Sequence, residues 1–89
     1  MTLRKRVLVS GRVQGVFFRD TCRRIASEAG VAGWASNLPD GRVEVVVEGD
    51  PCSVDAVVQW CHEGTPYSKV ESVEVREETP EGARGFSIR

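Results

Sequence analysis

Apolar and polar positions alternate along several stretches of this 89-residue chain and give way to a helical spacing in between. Residues 4–10 read as a strand with Val7 and Val9 on one face. From Phe18 the apolar side chains fall at Phe18, Cys22, Ile25, Ala26 and Ala29, which is one face of a helix, and Gly30 is a natural stop. Residues 31–37 suit a short strand, followed by a turn at Leu38-Pro39-Asp40-Gly41. Residues 42–49 set Val43, Val45 and Val47 against Glu44, Val46 and Glu48, so this strand is expected to bury one face and to pair with 31–37 as a hairpin. Asp50-Pro51 supplies an N-cap and a first-turn proline for a second helix. That helix turns Val54, Val57, Val58 and Cys61 inward and ends near Glu63-Gly64. Val70 to Glu77 reads as a fourth strand, and Phe86 and Ile88 as a short last one after the Pro80–Gly85 turn region.

The predicted order is β-α-β-β-α-β with a short C-terminal strand. That is the split βαβ arrangement of a ferredoxin-like sandwich: an α+β fold with two helices on one face of an antiparallel sheet. Eighty-nine residues fit a single domain, residues 1–89. The fold hosts unrelated functions and names none of them.

Charge alters this picture locally. The net charge of −1 gives no bias toward nucleic acid or an anionic membrane. Residues 1–24 nevertheless hold seven basic side chains (Arg4, Lys5, Arg6, Arg12, Arg19, Arg23 and Arg24) and one acid, Asp20, while the remainder holds five basic and twelve acidic residues. A positive field over the first segment would attract a small anion, and the acidic remainder would repel long polyanions. At least one of Arg23 and Arg24 is expected on a solvated helix face. The three cysteines, Cys22, Cys52 and Cys61, are odd in number and lack Cys-x-x-Cys spacing, which argues against zinc and against a disulfide scaffold. Cys22 and Cys61 lie on apolar helix faces and read as buried thiols. The basic start is followed only by Val7-Leu8-Val9, too short for a signal-peptide core or a membrane span. The expectation is a cytoplasmic protein with no membrane or nucleic-acid partner, no metal and no cofactor.

The chemistry concentrates in Val9-Ser10-Gly11-Arg12-Val13-Gln14-Gly15-Val16-Phe17-Phe18-Arg19, where a strand runs through two glycines into a helix. Glycines let successive amides point at one spot, and a helix's first-turn amides have no partners of their own. Such a loop cradles a phosphate-like anion, and Arg19 adds a planar fork of donors at the helix entrance. The plainer reading is that Gly11 and Gly15 only punctuate a turn. The loop is neither a Gly-Lys-Ser/Thr nucleotide loop nor a Gly-x-Gly-x-x-Gly fingerprint. Asn37, ending its strand beside Pro39-Asp40-Gly41, is by itself simple turn chemistry.

Taken together, these segments resemble the small standalone acylphosphatases. One family motif stands here as Gly11-Arg12-Val13-Gln14-Gly15-Val16-Phe17-Phe18-Arg19, a second as Gly33-Trp34-Ala35-Ser36-Asn37 followed by Gly41-Arg42-Val43 and Gly49. The likeness spans essentially the whole chain; Ser36, where relatives more often carry a basic or small apolar residue, departs from it. The resemblance implies hydrolysis of the carboxyl–phosphate bond of acyl phosphates to a carboxylate and orthophosphate without a metal. It implies that Arg19 binds the phosphate and that Asn37 positions the attacking water. The main-chain amides of Gln14, Gly15, Val16, Phe17, Phe18 and Arg19 would hold the phosphate oxygens. A small acyl phosphate is then the substrate and inorganic phosphate the product and competing ligand. Nothing in the sequence calls for more than a monomer.

The chain has no serine–histidine–acid set, but this reaction does not need one. A carboxylate whose acid has a pKa of about 4 departs unprotonated. A loose phosphoryl-transfer transition state asks for orientation more than activation of the nucleophile. Asn37, an amide, orients water without acting as a base. Asp20 reads as a first-turn acid favoured by the helix dipole, and His62 as a structural residue near the end of the second helix. Trp34 and Trp60 read as packing residues, with Trp34 a further candidate for the acyl side of the site. The competing reading is a non-catalytic ferredoxin-like module that binds RNA or an anion. Against RNA, Val7–Val9 and Val43–Glu48 offer no aromatic for base stacking, and Glu44 and Glu48 repel a phosphate backbone.

Overall fold

The computed structural model describes residues 1–89, which form seven elements: β1 (Leu3–Arg12), α1 (Phe18–Glu28), β2 (Ala32–Asn37), β3 (Val43–Gly49), α2 (Pro51–Glu63), β4 (Lys69–Glu78) and β5 (Phe86–Ile88). The alternation of residues decides which side of the sheet each covers. Val7, Val9, Val43, Val45 and Val47 turn toward the helices and join Cys22, Ala26, Val54, Val57 and Cys61 in one buried apolar cluster. Phe18 packs on Trp60 with ring centroids 4.8 Å apart, locking the two helices against each other. Asp50 caps α2 by accepting the Cys52 amide at 3.2 Å, with Pro51 in the first turn.

The strands lie in the order β4-β1-β3-β2-β5. The first four pair antiparallel, including the β2–β3 hairpin. The fifth corrects the expectation of a wholly antiparallel sheet, because β5 pairs parallel with β2. The cause is the route of the chain. Residues 79–85 carry it from one edge of the sheet to the other without reversing its end, so β5 runs opposite to β4 and therefore alongside β2. The C-terminal ends of β1, β2 and β5 consequently share one edge of the sheet.

A second correction concerns β3, which buries both faces. Val46 and Glu48, on the side away from the helices, are 0% and 4% exposed. Trp34 lies across from Val46 in the hairpin and is stacked by Arg6 and Arg89, whose guanidinium carbons lie 5.5 and 4.5 Å from its ring. Glu48 accepts the amides of Glu81, Gly82 and Ala83, each at 2.9 Å, and pairs with Arg4 at 3.2 Å. Arg4 and Arg6 both reach Glu78, at 3.0 and 2.6 Å, and Arg6 reaches Glu44 at 2.8 Å. The face that an RNA-binding sheet would offer for stacking is thus occupied by ion pairs and the 79–85 crossover. No helix is long and apolar enough to cross a membrane.

Candidate active site

The loop begins with a distortion of β1. Its pairing with β4 shifts register between Ser10 and Gly11. Gly11 has φ +121°, and a Cβ there would stand 2.1 Å from the carbonyl oxygen of Lys69, so β4 could not approach with any other residue in place. Gly11 therefore serves the sheet, and only Gly15 of the two glycines lies in the loop, with φ +73°. Phe17 follows in the left-handed region at φ 62°, an uncommon conformation for a bulky side chain. Val13 and Val16 anchor the loop by packing into the core. Thr65, in the turn after α2, donates its hydroxyl to the Val16 carbonyl at 2.8 Å.

Left-handed Phe17 starts α1 abruptly, with no side chain capping it. The first helical bond is from the Thr21 amide to the Phe17 carbonyl at 3.0 Å, so the amides of Phe18, Arg19 and Asp20 precede the helical ladder. The main-chain NH groups from Gln14 to Phe17 donate to no acceptor in the protein. A run of unpaired amides at a helix N-terminus, where the dipole is positive, is an anion site in physical terms. Arg19 extends from the second helical position, and its Nη1 donates to the main-chain oxygen of Arg89, just beyond β5, at 3.1 Å. It forms no ion pair; the neighbouring acid, Asp20, pairs instead with Arg23 at 3.0 Å.

Asn37 closes β2 opposite Val43, on the helix side of the sheet. Its Oδ1 is buried and finds no donor in the protein. An acceptor in that state normally costs stability, which marks it as a group held for another purpose. Gln14 ties this strand end to the loop: its Nε2 donates to the carbonyls of Leu38 at 2.8 Å and Arg42 at 3.0 Å.

These elements converge. A pocket of about 250 Å³ is lined by Val13, Gly15, Phe17, Phe18, Arg19, Asp20, Asn37 and Ile88. Of the residues singled out in the sequence, Gly15, Phe17, Phe18, Arg19 and Asn37 meet there. The side chains of Gln14 and Val16 point elsewhere, to the β2–β3 turn and to the core. Trp34 is not in the pocket: it sits on the other face of the sheet, so its second role as a lining of the acyl side is withdrawn. The His62 ring bonds back to the Val58 carbonyl at 3.0 Å within its own helix. Three contributors escaped the sequence reading. Thr65 carried no local signal. Ile88 and Arg89 reach the site only because β5 runs parallel to β2.

Comparison with known proteins bears on the chain as a whole. The family model described as Acylphosphatase matches residues 5–88. A protein named acylphosphatase from Rubrobacter xylanophilus is 62% identical over 89 residues, covering 99% of this chain and 81% of that one. Another of the same name from Haloarcula marismortui is 54% identical over 86 residues, 97% of this chain and 94% of that one. The crystal structure of acylphosphatase from Bacillus subtilis superposes with a TM-score of 0.94 at 41% identity, covering 98% of each chain. The chain belongs to the acylphosphatase family.

Proposed function

We propose that the loop–Asn37 pocket carries out the family's reaction, hydrolysis of an acyl phosphate to a carboxylate and orthophosphate, by positioning and charge alone. The amides of Gln14 to Arg19 and the Arg19 guanidinium grip the phosphoryl oxygens, and Asn37 Oδ1 accepts a hydrogen bond from the attacking water. The water oxygen bonds to phosphorus as the bridging P–O bond breaks. The acyl oxygen keeps that electron pair and leaves as carboxylate, and the water's proton passes to a phosphoryl oxygen. Orientation of the nucleophile and fixed donors around the anionic oxygens supply the rate enhancement. The buried, unpartnered Oδ1 of Asn37 beside Arg19 and unpaired loop amides is the observation that carries this reading. The deciding experiment is hydrolysis of benzoyl phosphate by the isolated chain in EDTA, with inorganic phosphate as competitor. Turnover inhibited competitively by phosphate supports it; dependence of turnover on an added divalent metal overturns it.

The chain works on this reading as a monomer in the cytoplasm. Large apolar side chains exposed on its surface are scattered apart from one aromatic pair, and all three thiols are free, as suits a reducing compartment.

A further inference from the structure

Phe17 and Tyr67 are each 67% exposed and touch edge to face, ring centroids 5.9 Å apart. They are the two aromatics among the large apolar side chains on the surface. Their placement is not casual. Phe17 lines the phosphate pocket and holds a left-handed backbone conformation that a bulky non-glycine residue seldom adopts. Tyr67 lies in the turn after α2, which the Thr65 hydroxyl fastens to the loop itself through the Val16 carbonyl at 2.8 Å. Ser68 completes that turn: its hydroxyl accepts the Thr65 amide at 2.8 Å and donates to the Thr65 carbonyl at 2.9 Å. The ring pair is thus held against the loop by a fixed hydrogen-bonded turn.

In-line displacement directs the leaving group away from the attacking water. Asn37 Oδ1 is buried while Phe17, lining the same pocket, is exposed, so a water held by Asn37 directs the acyl group outward, past the Phe17 ring. We propose that Phe17 and Tyr67 form the acyl subsite of this enzyme, selecting acyl phosphates whose acyl group is flat and apolar, aromatic ones above all. The inference rests on the reading of the pocket given above.

The test compares kcat/KM for benzoyl phosphate and acetyl phosphate, whose leaving groups are similar in acidity, so that their ratio reports recognition of the acyl group. The wild type favours benzoyl phosphate. Tyr67→Ser lowers the benzoyl-to-acetyl ratio about fivefold to tenfold, mainly through KM for benzoyl phosphate, whereas Tyr67→Phe retains it. Competition by the free carboxylates gives a readout that needs no variant: benzoate inhibits the wild type more strongly than acetate. An unchanged ratio in Tyr67→Ser, equal losses on both substrates, or benzoate no better than acetate overturns the subsite. A wild type that hydrolyses both acyl phosphates without preference overturns the subsite alone; one that hydrolyses neither overturns the pocket reading with it.

Discussion

On the proposed mechanism Asn37 and Arg19 divide the labour between solvent and substrate, so their replacements should fail differently. Asn37→Ala is expected to lower kcat on the order of a hundredfold to a thousandfold while inorganic phosphate inhibits at nearly its wild-type concentration, because only the water loses its acceptor. Arg19→Lys should recover little of what Arg19→Ala loses, since an ammonium cannot donate to phosphate and to the Arg89 oxygen in one plane. Steady-state kinetics with phosphate inhibition separates the two residues; equal loss of phosphate affinity in both variants would refute the division. The thiols are also distinct. The hydrogen bond with Cys22, together with burial, pushes the Cys61 thiol well above its ordinary pKa, and both side chains are fully enclosed. A thiol-specific chromogenic reagent should therefore titrate only Cys52 in the native protein and all three after denaturation. At this scale the sequence was legible in bringing Arg19 and Asn37 to one place, since both line the same pocket. It was not where residues act through distant carbonyls: nothing beside Gln14 announces acceptors at Leu38 and Arg42.

Among the elements, the helices and the four long strands follow from periodicity, from the Asp50 cap and from the glycine stops at Gly30 and Gly64. The direction of β5 does not, because no local pattern encodes which way a three-residue edge strand is fed. Its placement depends on Glu48, a residue the alternation assigned to solvent. The amides of residues 81–83, chiefly that of Glu81, and the Arg4 guanidinium hold the Glu48 carboxyl below its usual pKa, and Arg6 and Arg4 do the same for Glu78. A carboxyl depressed on folding contributes stability in full above its unfolded pKa, about 4.3, and loses it as pH falls through the lowered value. The melting temperature should thus be flat from about pH 6 to 8 and fall below about pH 5. Glu48→Gln should cost roughly 2 to 4 kcal/mol at neutral pH and weaken the acid dependence. Denaturant unfolding at pH 7 and pH 4 measures both; a variant as acid-sensitive as the wild type would place the acid response elsewhere.

Viewed as a whole, the molecule uses its charge differently from the expectation of a general positive field over the first 24 residues. Arg4, Lys5, Arg6, Arg23 and Arg24 are engaged by carboxylates, leaving Arg12 and Arg19 of that segment without ion pairs. Attraction of the anion is therefore local, and kcat/KM should fall only about twofold to threefold between 50 and 500 mM salt, where long-range steering would lose tenfold or more. Composition alone could not show this, because pairing partners such as Glu78 stand far away in sequence. What was legible at this scale was the order of elements and the coincidence of two motifs at one sheet edge.

The shortest strand leads directly into the residue whose main-chain oxygen anchors Arg19, the proposed phosphate ligand. β5 touches β2 along one side only, and its anchorage includes the Gly33 amide on the Gly85 carbonyl at 2.9 Å and the Arg89 amide on the Ala35 carbonyl at 2.8 Å. Border segments of this kind fray at a lower temperature than the core they flank. On warming, catalysis should therefore fade several degrees before calorimetry registers global melting, and return on cooling without refolding, so that the hydrolytic machinery is less heat-resistant than the scaffold that carries it.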